Sequence, residues 1–240
     1  AYQGQTVAAL NEALGQQQRD ILTLRRQVEL LAQEVRLLRQ THNSAAGGGN
    51  ENDLIGMVRE VNTTSAILSP RGQVLENGMP RFFRRMAANV FDEEDVARRA
   101  SELSDFILAS TDKYDRNPGR LTALGYSNGA NIAAAVILLR PEVFSCAVLI
   151  RPMLPLRNPP LPDLHGKQIL VLKGKHDAII PSASTDRLVK TFQRAGADVM
   201  TREIDAGHEI TARDLDEMSQ WLSGPQACRH QDSESSLMEE

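Results

Sequence analysis

Long apolar runs are missing from this 240-residue sequence, and with no stretch of about 18 consecutive apolar residues a membrane-spanning helix is not expected. No signal-peptide pattern opens the chain, so secretion is not expected either. Cysteine is scarce. Of the two, Cys146 lies in a strand-like run and is expected to be buried, whereas Cys228 lies in a polar tail. A disulfide framework is therefore not expected, and a reducing cytoplasm fits. No Cys/His cluster has zinc-ligand spacing and no Gly-x-x-x-x-Gly-Lys loop occurs, so the reading calls for no metal and no cofactor. Charge of one sign is lacking too: the net charge of -4 offers no field for attracting nucleic acid. What is present is 41% hydrophobic content, enough for a core in a chain that can hold one full domain and an appendage.

The informative stretch is Leu121-Thr-Ala-Leu-Gly-Tyr-Ser-Asn-Gly-Ala130. Leu121 to Leu124 reads as a buried strand, Gly125 to Gly129 as a break, and the apolar, Ala-rich run to Leu139 as a helix. Gly-x-Ser-x-Gly between a strand and a helix forces the serine into a strained conformation, and both flanking glycines are expected to keep strand and helix from colliding with it. Ser127 is thus a candidate nucleophile at a helix N-terminus; the alternative is an ordinary tight turn. A serine at its normal pKa is a weak nucleophile, so a base and an orienting acid must follow it. Asp177 follows the strand-like Lys167 to Lys173, and His208 follows the alternating Asp198 to Ile204. Both lie just past strand ends, on the sheet edge where a parallel sheet gathers its active-site loops. Asp177 could instead be a capping aspartate and His208 a loop histidine, but His42, His165, His176 and His230 fit the base role less well.

The first 41 residues differ in kind. Val7, Leu10, Leu14, Gln17, Ile21, Leu24, Val28, Leu31, Val35 and Leu38 recur at alternating steps of three and four, the heptad pattern of a coiled coil. Mostly β-branched residues at the a positions and Leu at d, with Gln17 as the polar exception, favour a parallel dimer; packing against the globular part is the alternative. Gln5-Thr-Val-Ala-Ala-Leu-Asn-Glu12, Gln16-Gln-Gln-Arg-Asp-Ile21 and Arg26-Gln-Val-Glu-Leu-Leu31 resemble the SlyX family of small bacterial coiled-coil proteins. Residues 42–50 read as a Gly-rich linker and 224–240 as a disordered acidic tail. Between them, over 51–223, the pattern predicts a helix from Glu51 to Glu60, a short strand from Ser65 to Ser69 and a basic aromatic loop, Arg81 to Arg85. That loop could meet a substrate anion or an acidic helix, or lay its Arg stems on Phe82 and Phe83. A helix from Asp92 to about Tyr114 is predicted with Val96, Ala100, Leu103 and Phe106 on one face. From Leu121 strands alternate with helices, interrupted by the Pro-rich loop 152–162. This predicts an α/β domain: a mostly parallel sheet with helices on both faces, preceded by a long coiled-coil helix.

Seven segments in order, Gly48-Gly-Asn-Glu-Asn-Asp-Leu54, Leu68-Ser-Pro-Arg-Gly72, Pro80-Arg-Phe-Phe-Arg-Arg85, Phe91-Asp-Glu-Glu-Asp95, Gly125-Tyr-Ser-Asn-Gly-Ala-Asn131, Asp177-Ala-Ile-Ile-Pro181 and Ala206-Gly-His-Glu209, resemble the phospholipase/carboxylesterase family of α/β-hydrolases, in particular its hydroquinone-induced carboxylesterase branch. The resemblance spans about residues 47–223. It implies hydrolysis of small-molecule carboxylic esters by a triad of Ser127, Asp177 and His208, with backbone amides of Asn128 and Gly47 as the oxyanion hole. The family's central strand ends in His-Gly-x-Gly-Gly, where this chain has Ala45-Ala-Gly-Gly-Gly49 after heptad sequence. The sheet is accordingly expected to lack its N-terminal strands, unless Glu34 to His42 is recruited as one. A catalytically impaired hydrolase-like protein that oligomerises through its coiled coil is therefore the alternative function.

Overall fold

The computed structural model describes Gln18 and residues 49–224. The heptad segment apart from Gln18, the linker up to residue 48 with Gly47, and the acidic tail beyond Gly224 lie outside the described residues. The elements in chain order are α1 (Ile55–Val61), β1 (Val74–Glu76), β2 (Met79–Arg81), β3 (Arg85–Ala87), β4 (Val90–Phe91) and α2 (Glu93–Lys113). They continue with β5 (Thr122–Tyr126), α3 (Asn128–Leu139), β6 (Cys146–Ile150), β7 (Gln168–Gly174), α4 (Ser182–Arg194), β8 (Asp198–Ile204) and α5 (Ala212–Ser223).

Strands β5, β6, β7 and β8 pair in parallel, in that order, into a four-stranded sheet. The continuous apolar runs of β6 and β7 are what a sheet covered on both faces requires, and every residue of β6 is buried. Successive side chains point to opposite faces. Ala123, Ala147, Leu149, Ile169 and Val171 join a core with Val96 and Ile107 of α2, with α3, and with Leu188 and Phe192 of α4. Cys146, Val148, Ile150, Leu170 and Leu172 join a second core with Met57 of α1 and Met218 and Trp221 of α5. Full burial of each aliphatic side chain contributes on the order of 1.5–3 kcal/mol, so these two layers hold the sheet between its helices. The α/β layering expected from the sequence is the one observed. Cys146, expected as a buried thiol, is buried but disulfide-bonded, which removes the cysteine argument for a reducing compartment. Among the described residues no helix is long and apolar enough to cross a membrane.

Three expectations are corrected. Ser65 to Ser69 forms no strand: Arg59 Nη1 donates to the carbonyls of Ser65 at 3.0 Å and Thr63 at 3.3 Å, and the Ser69 hydroxyl donates to the Glu51 carbonyl at 2.6 Å, so these groups are satisfied locally rather than by a ladder. Of the expected loop Arg81 to Arg85 only residues 82–84 lie outside strands; Arg81 ends β2 and Arg85 opens β3, so the segment joins two small antiparallel hairpins, β1–β2 and β3–β4. Glu76 welds the two by pairing with Arg81 at 2.5 Å and with Arg85 at 2.7 Å. Arg84 meets the acidic start of α2, at 2.8 Å from Asp92, while Phe83 is fully buried edge-on to Phe91. Phe106 is 49% exposed rather than on the buried face of α2. At about 100° per residue the line from Val96 through Ala100 and Ser104 returns at Ile107, leaving Phe106 roughly 80° off it.

Candidate active site

Ser127 occupies the turn between β5 and α3 with φ 51° and ψ −112°. That left-handed conformation is costly for a non-glycine residue, by about 1–3 kcal/mol, and persists because both flanks are fixed. The Ser127 amide donates to the Ile150 carbonyl at 2.9 Å, and its own carbonyl accepts from the Asn131 amide at 2.9 Å. Gly125 is required here, since a Cβ would lie 2.5 Å from the Gly129 carbonyl oxygen and 2.6 Å from the Ala130 nitrogen. Gly129 is not: a Cβ there would meet only the Phe82 ring, at 3.8 Å, so the expectation that both glycines relieve a collision holds for one of them.

The structure brings the three predicted side chains together. His208 Nε2 is 3.0 Å from Ser127 Oγ, and His208 Nδ1 is 2.8 Å from Asp177 Oδ2. The other carboxylate oxygen of Asp177 accepts from the amides of Ile179 at 2.8 Å and Ile180 at 2.9 Å. Burial is the largest influence on Asp177 and pushes its pKa up; the His208 hydrogen bond and charge and the two amides outweigh it, so the carboxyl ends below its ordinary value. An ionised acceptor at Nδ1 places the imidazole proton there and leaves Nε2 free to accept from the serine hydroxyl. His208 is buried, and Tyr126 packs its ring 5.3 Å from the imidazole while its hydroxyl donates to the His208 carbonyl at 3.0 Å. Burial drives the Tyr126 pKa up, so it remains a neutral donor. His165 and His176 pair elsewhere, with Asp163 and Asp205.

Asn128, the first residue of α3, stands beside Ser127 with its side chain turned to the hairpins: Oδ1 accepts from the Phe82 amide at 2.8 Å, and the buried Nδ2 has no hydrogen-bond partner among the described residues. Gly47 lies outside the described residues. Strand β5 is one of the two edges of the four-stranded sheet among the described residues, and a cavity of about 650 Å³ runs alongside it to Ser127, with Leu54, Val58, Leu68, Phe82, Leu103 and Tyr126 in its lining. From the other side, Asn89 at the β3–β4 turn donates to the Ile179 carbonyl at 2.8 Å, tying that hairpin to the Asp177 loop. No cluster of three or more His, Cys, Asp or Glu suited to a metal occurs among the described residues. Sequence reading missed Tyr126 and Arg151, and named Phe82 without its backbone link to Asn128. The one signal available for Arg151 was a charged residue directly after five buried apolar ones.

A parallel sheet flanked by helices, with a strained serine between a strand and a helix and a histidine and aspartate on later loops, defines the α/β-hydrolase class. Comparison with known proteins narrows this. Residues 64–224 match the phospholipase/carboxylesterase family model, and the chain belongs to that family. It is 39% identical over 174 residues, 72% of this chain and 87% of the relative, to the protein named "Putative hydrolase MhqD" of Bacillus subtilis strain 168. Among solved structures, the Bacillus cereus carboxylesterase superimposes with a TM-score of 0.71 at 40% identity, covering 72% of this chain and 82% of that one. A carboxylesterase from Mesorhizobium loti gives 0.72 at 31% identity, covering 75% and 85%.

Proposed function

We propose that the chain is a serine hydrolase that cleaves small carboxylic esters through an acyl-enzyme. The carrying observation is the continuous hydrogen-bonded line from Ser127 through His208 to Asp177. On this reading Ser127 Oγ attacks the ester carbonyl as its proton passes to His208 Nε2, and Asp177 stabilises the imidazolium. The tetrahedral oxyanion is met by the Asn128 amide and, by family resemblance, the Gly47 amide. Collapse breaks the bond to the alkoxy group, which leaves with the proton from His208. Water then gives a proton to His208 and attacks the acyl carbon, releasing the carboxylic acid and restoring Ser127.

The test is p-nitrophenyl acetate hydrolysis and fluorophosphonate labelling of the chain and its Ser127→Ala variant. Turnover should fall by at least about a thousandfold and labelling should vanish, with circular dichroism unchanged. Activity surviving in Ser127→Ala would remove that residue from the mechanism. One specific feature favours a second reading, an interaction protein with an impaired site: Ala45-Ala46 stands where the family has His-Gly. A folded chain that neither labels nor turns over would select it.

A further inference from the structure

The loop that carries His208 is held through its backbone, carbonyl by carbonyl. The Ala206 carbonyl accepts from the His176 amide at 2.9 Å, that of Gly207 from Arg151 Nε at 3.0 Å, that of His208 from the Tyr126 hydroxyl at 3.0 Å, and that of Glu209 from Arg151 Nη2 at 2.9 Å. One guanidinium therefore grips the carbonyls on both sides of the histidine. Arg151 is 1% exposed, and its positive φ of 51° turns it out of the end of β6 toward this loop. The guanidinium also meets the Leu172 carbonyl at 3.4 Å and pairs with both oxygens of Asp214, at 2.7 and 3.0 Å. Asp214 is itself fully buried and fixed: one of its oxygens accepts from the Thr211 amide and hydroxyl, both at 2.8 Å, in the capping box that opens α5. The chain of contacts runs from a helix cap to an ion pair to the carbonyls of Gly207 and Glu209, the residues on either side of the histidine.

A buried ion pair is poorly explained by stability alone, because desolvating two charges offsets most of their attraction, and apolar residues of similar size do as well. What apolar residues cannot do is fix two carbonyls at set positions. Arginine's rigid planar fork can, and lysine, a point charge on a flexible stem, cannot. We propose that Arg151, locked by Asp214, is a positioning residue for the ester-hydrolysis reaction: it sets the place and tilt of His208 between Asp177 and Ser127. This rests on the serine-hydrolase reading above.

The test compares wild type with Arg151→Lys and with Asp214→Asn, which keeps the Thr211 cap but turns a donor toward the guanidinium. Three readouts are taken on each folded protein: kcat and KM for p-nitrophenyl acetate, the rate of fluorophosphonate labelling, and the low-field proton resonance of the His208 Nδ1–H···Asp177 hydrogen bond. In both variants kcat and the labelling rate should fall together by about tenfold to a hundredfold with KM within about twofold, since misplacing a catalytic group by about an ångström costs on the order of a hundredfold. The resonance should broaden or shift. A folded variant with wild-type kcat and an unmoved resonance overturns the proposal. So does loss of the fold in both variants, which would make the ion pair a condition of folding rather than of histidine placement. Should wild type itself show no labelling, the hydrolase reading fails, and the resonance alone then decides whether Arg151 places His208.

Discussion

Replacing Gly174 by alanine should cripple turnover while leaving the chain folded. Gly174 ends β7, opposite Ile204 of β8, three residues before Asp177. A Cβ built on it lies 2.1 Å from the Gly207 carbonyl oxygen, 3.0 Å from that of Ala206 and 3.0 Å from Arg151 Nε. The first contact is short of an ordinary carbon–oxygen separation by more than about an ångström, and the atom it meets is backbone, which cannot rotate away. Nor is that backbone loose, since the Gly207 carbonyl is held by Arg151 at 3.0 Å. Either the end of β7 retreats, straining its ladder with β8, or the loop retreats and carries the next residue, His208, off Ser127.

Overpacking of this kind costs about 1–3 kcal/mol, which at roughly 2–4 °C per kcal/mol for a domain of this size gives a modest fall in Tm. The effect on kcat should be of similar size in free energy, about a hundredfold, because the 3.0 Å Ser127–His208 contact is what lengthens; a domain stable by about 5–15 kcal/mol stays folded after such a loss while its turnover nearly vanishes. Gly129→Ala is the control. It lies in α3 with only the Phe82 ring at 3.8 Å, and alanine suits a helix better than glycine by about 0.5–1 kcal/mol. Its Tm should hold or rise and its kcat stay within about threefold. Thermal denaturation and p-nitrophenyl acetate kinetics on the two variants decide the matter. Wild-type kcat in Gly174→Ala, or equal damage from both substitutions, would refute the reasoning.

Two further outcomes follow from the charges and the heptads. Because the folded pKa of Asp177 is depressed, the stability it contributes is present above the unfolded value of about 3.9 and is lost as pH falls through the folded one. Thermal midpoints of wild type and Asp177→Asn should therefore converge as pH falls below about 4, and curves that stay parallel would show that the carboxylate is not the group responsible. We also propose that residues 7–38 dimerise the chain; sedimentation of the full chain should report a dimer and of a chain starting at residue 43 a monomer, and a monomeric full chain would remove the coiled-coil reading.

The parts of the structure that were legible are those in which one residue type repeats for one reason. Cys146–Ile150 and Asp198–Ile204 fall on their predicted bounds; the first, buried on both faces, states its extent as a continuous apolar run, whereas the second, with exposure that follows no period of two, does not alternate as expected. Ser127, Asp177 and His208 could be picked out because strand ends mark where such side chains gather, and the structure places them within hydrogen-bonding distance of one another. The hairpins at 74–91 were missed because they are held by Glu76 reaching residues five and nine positions on, a spacing with no period to read. Even so, a local signal was there: Asn77-Gly78, with φ of 52° and 78°, is a favoured two-residue hairpin turn. Arg151 is the opposite case. Its partners Leu172, Gly207, Glu209 and Asp214 lie 21 to 63 positions away and meet it mostly through backbone carbonyls, which every residue type carries alike. Side chains that perform chemistry are constrained in identity and leave a trace in the sequence. Those that hold the performers by the backbone are visible only when the fold has brought the carbonyls together, and in this chain the hold on His208 is of that second kind.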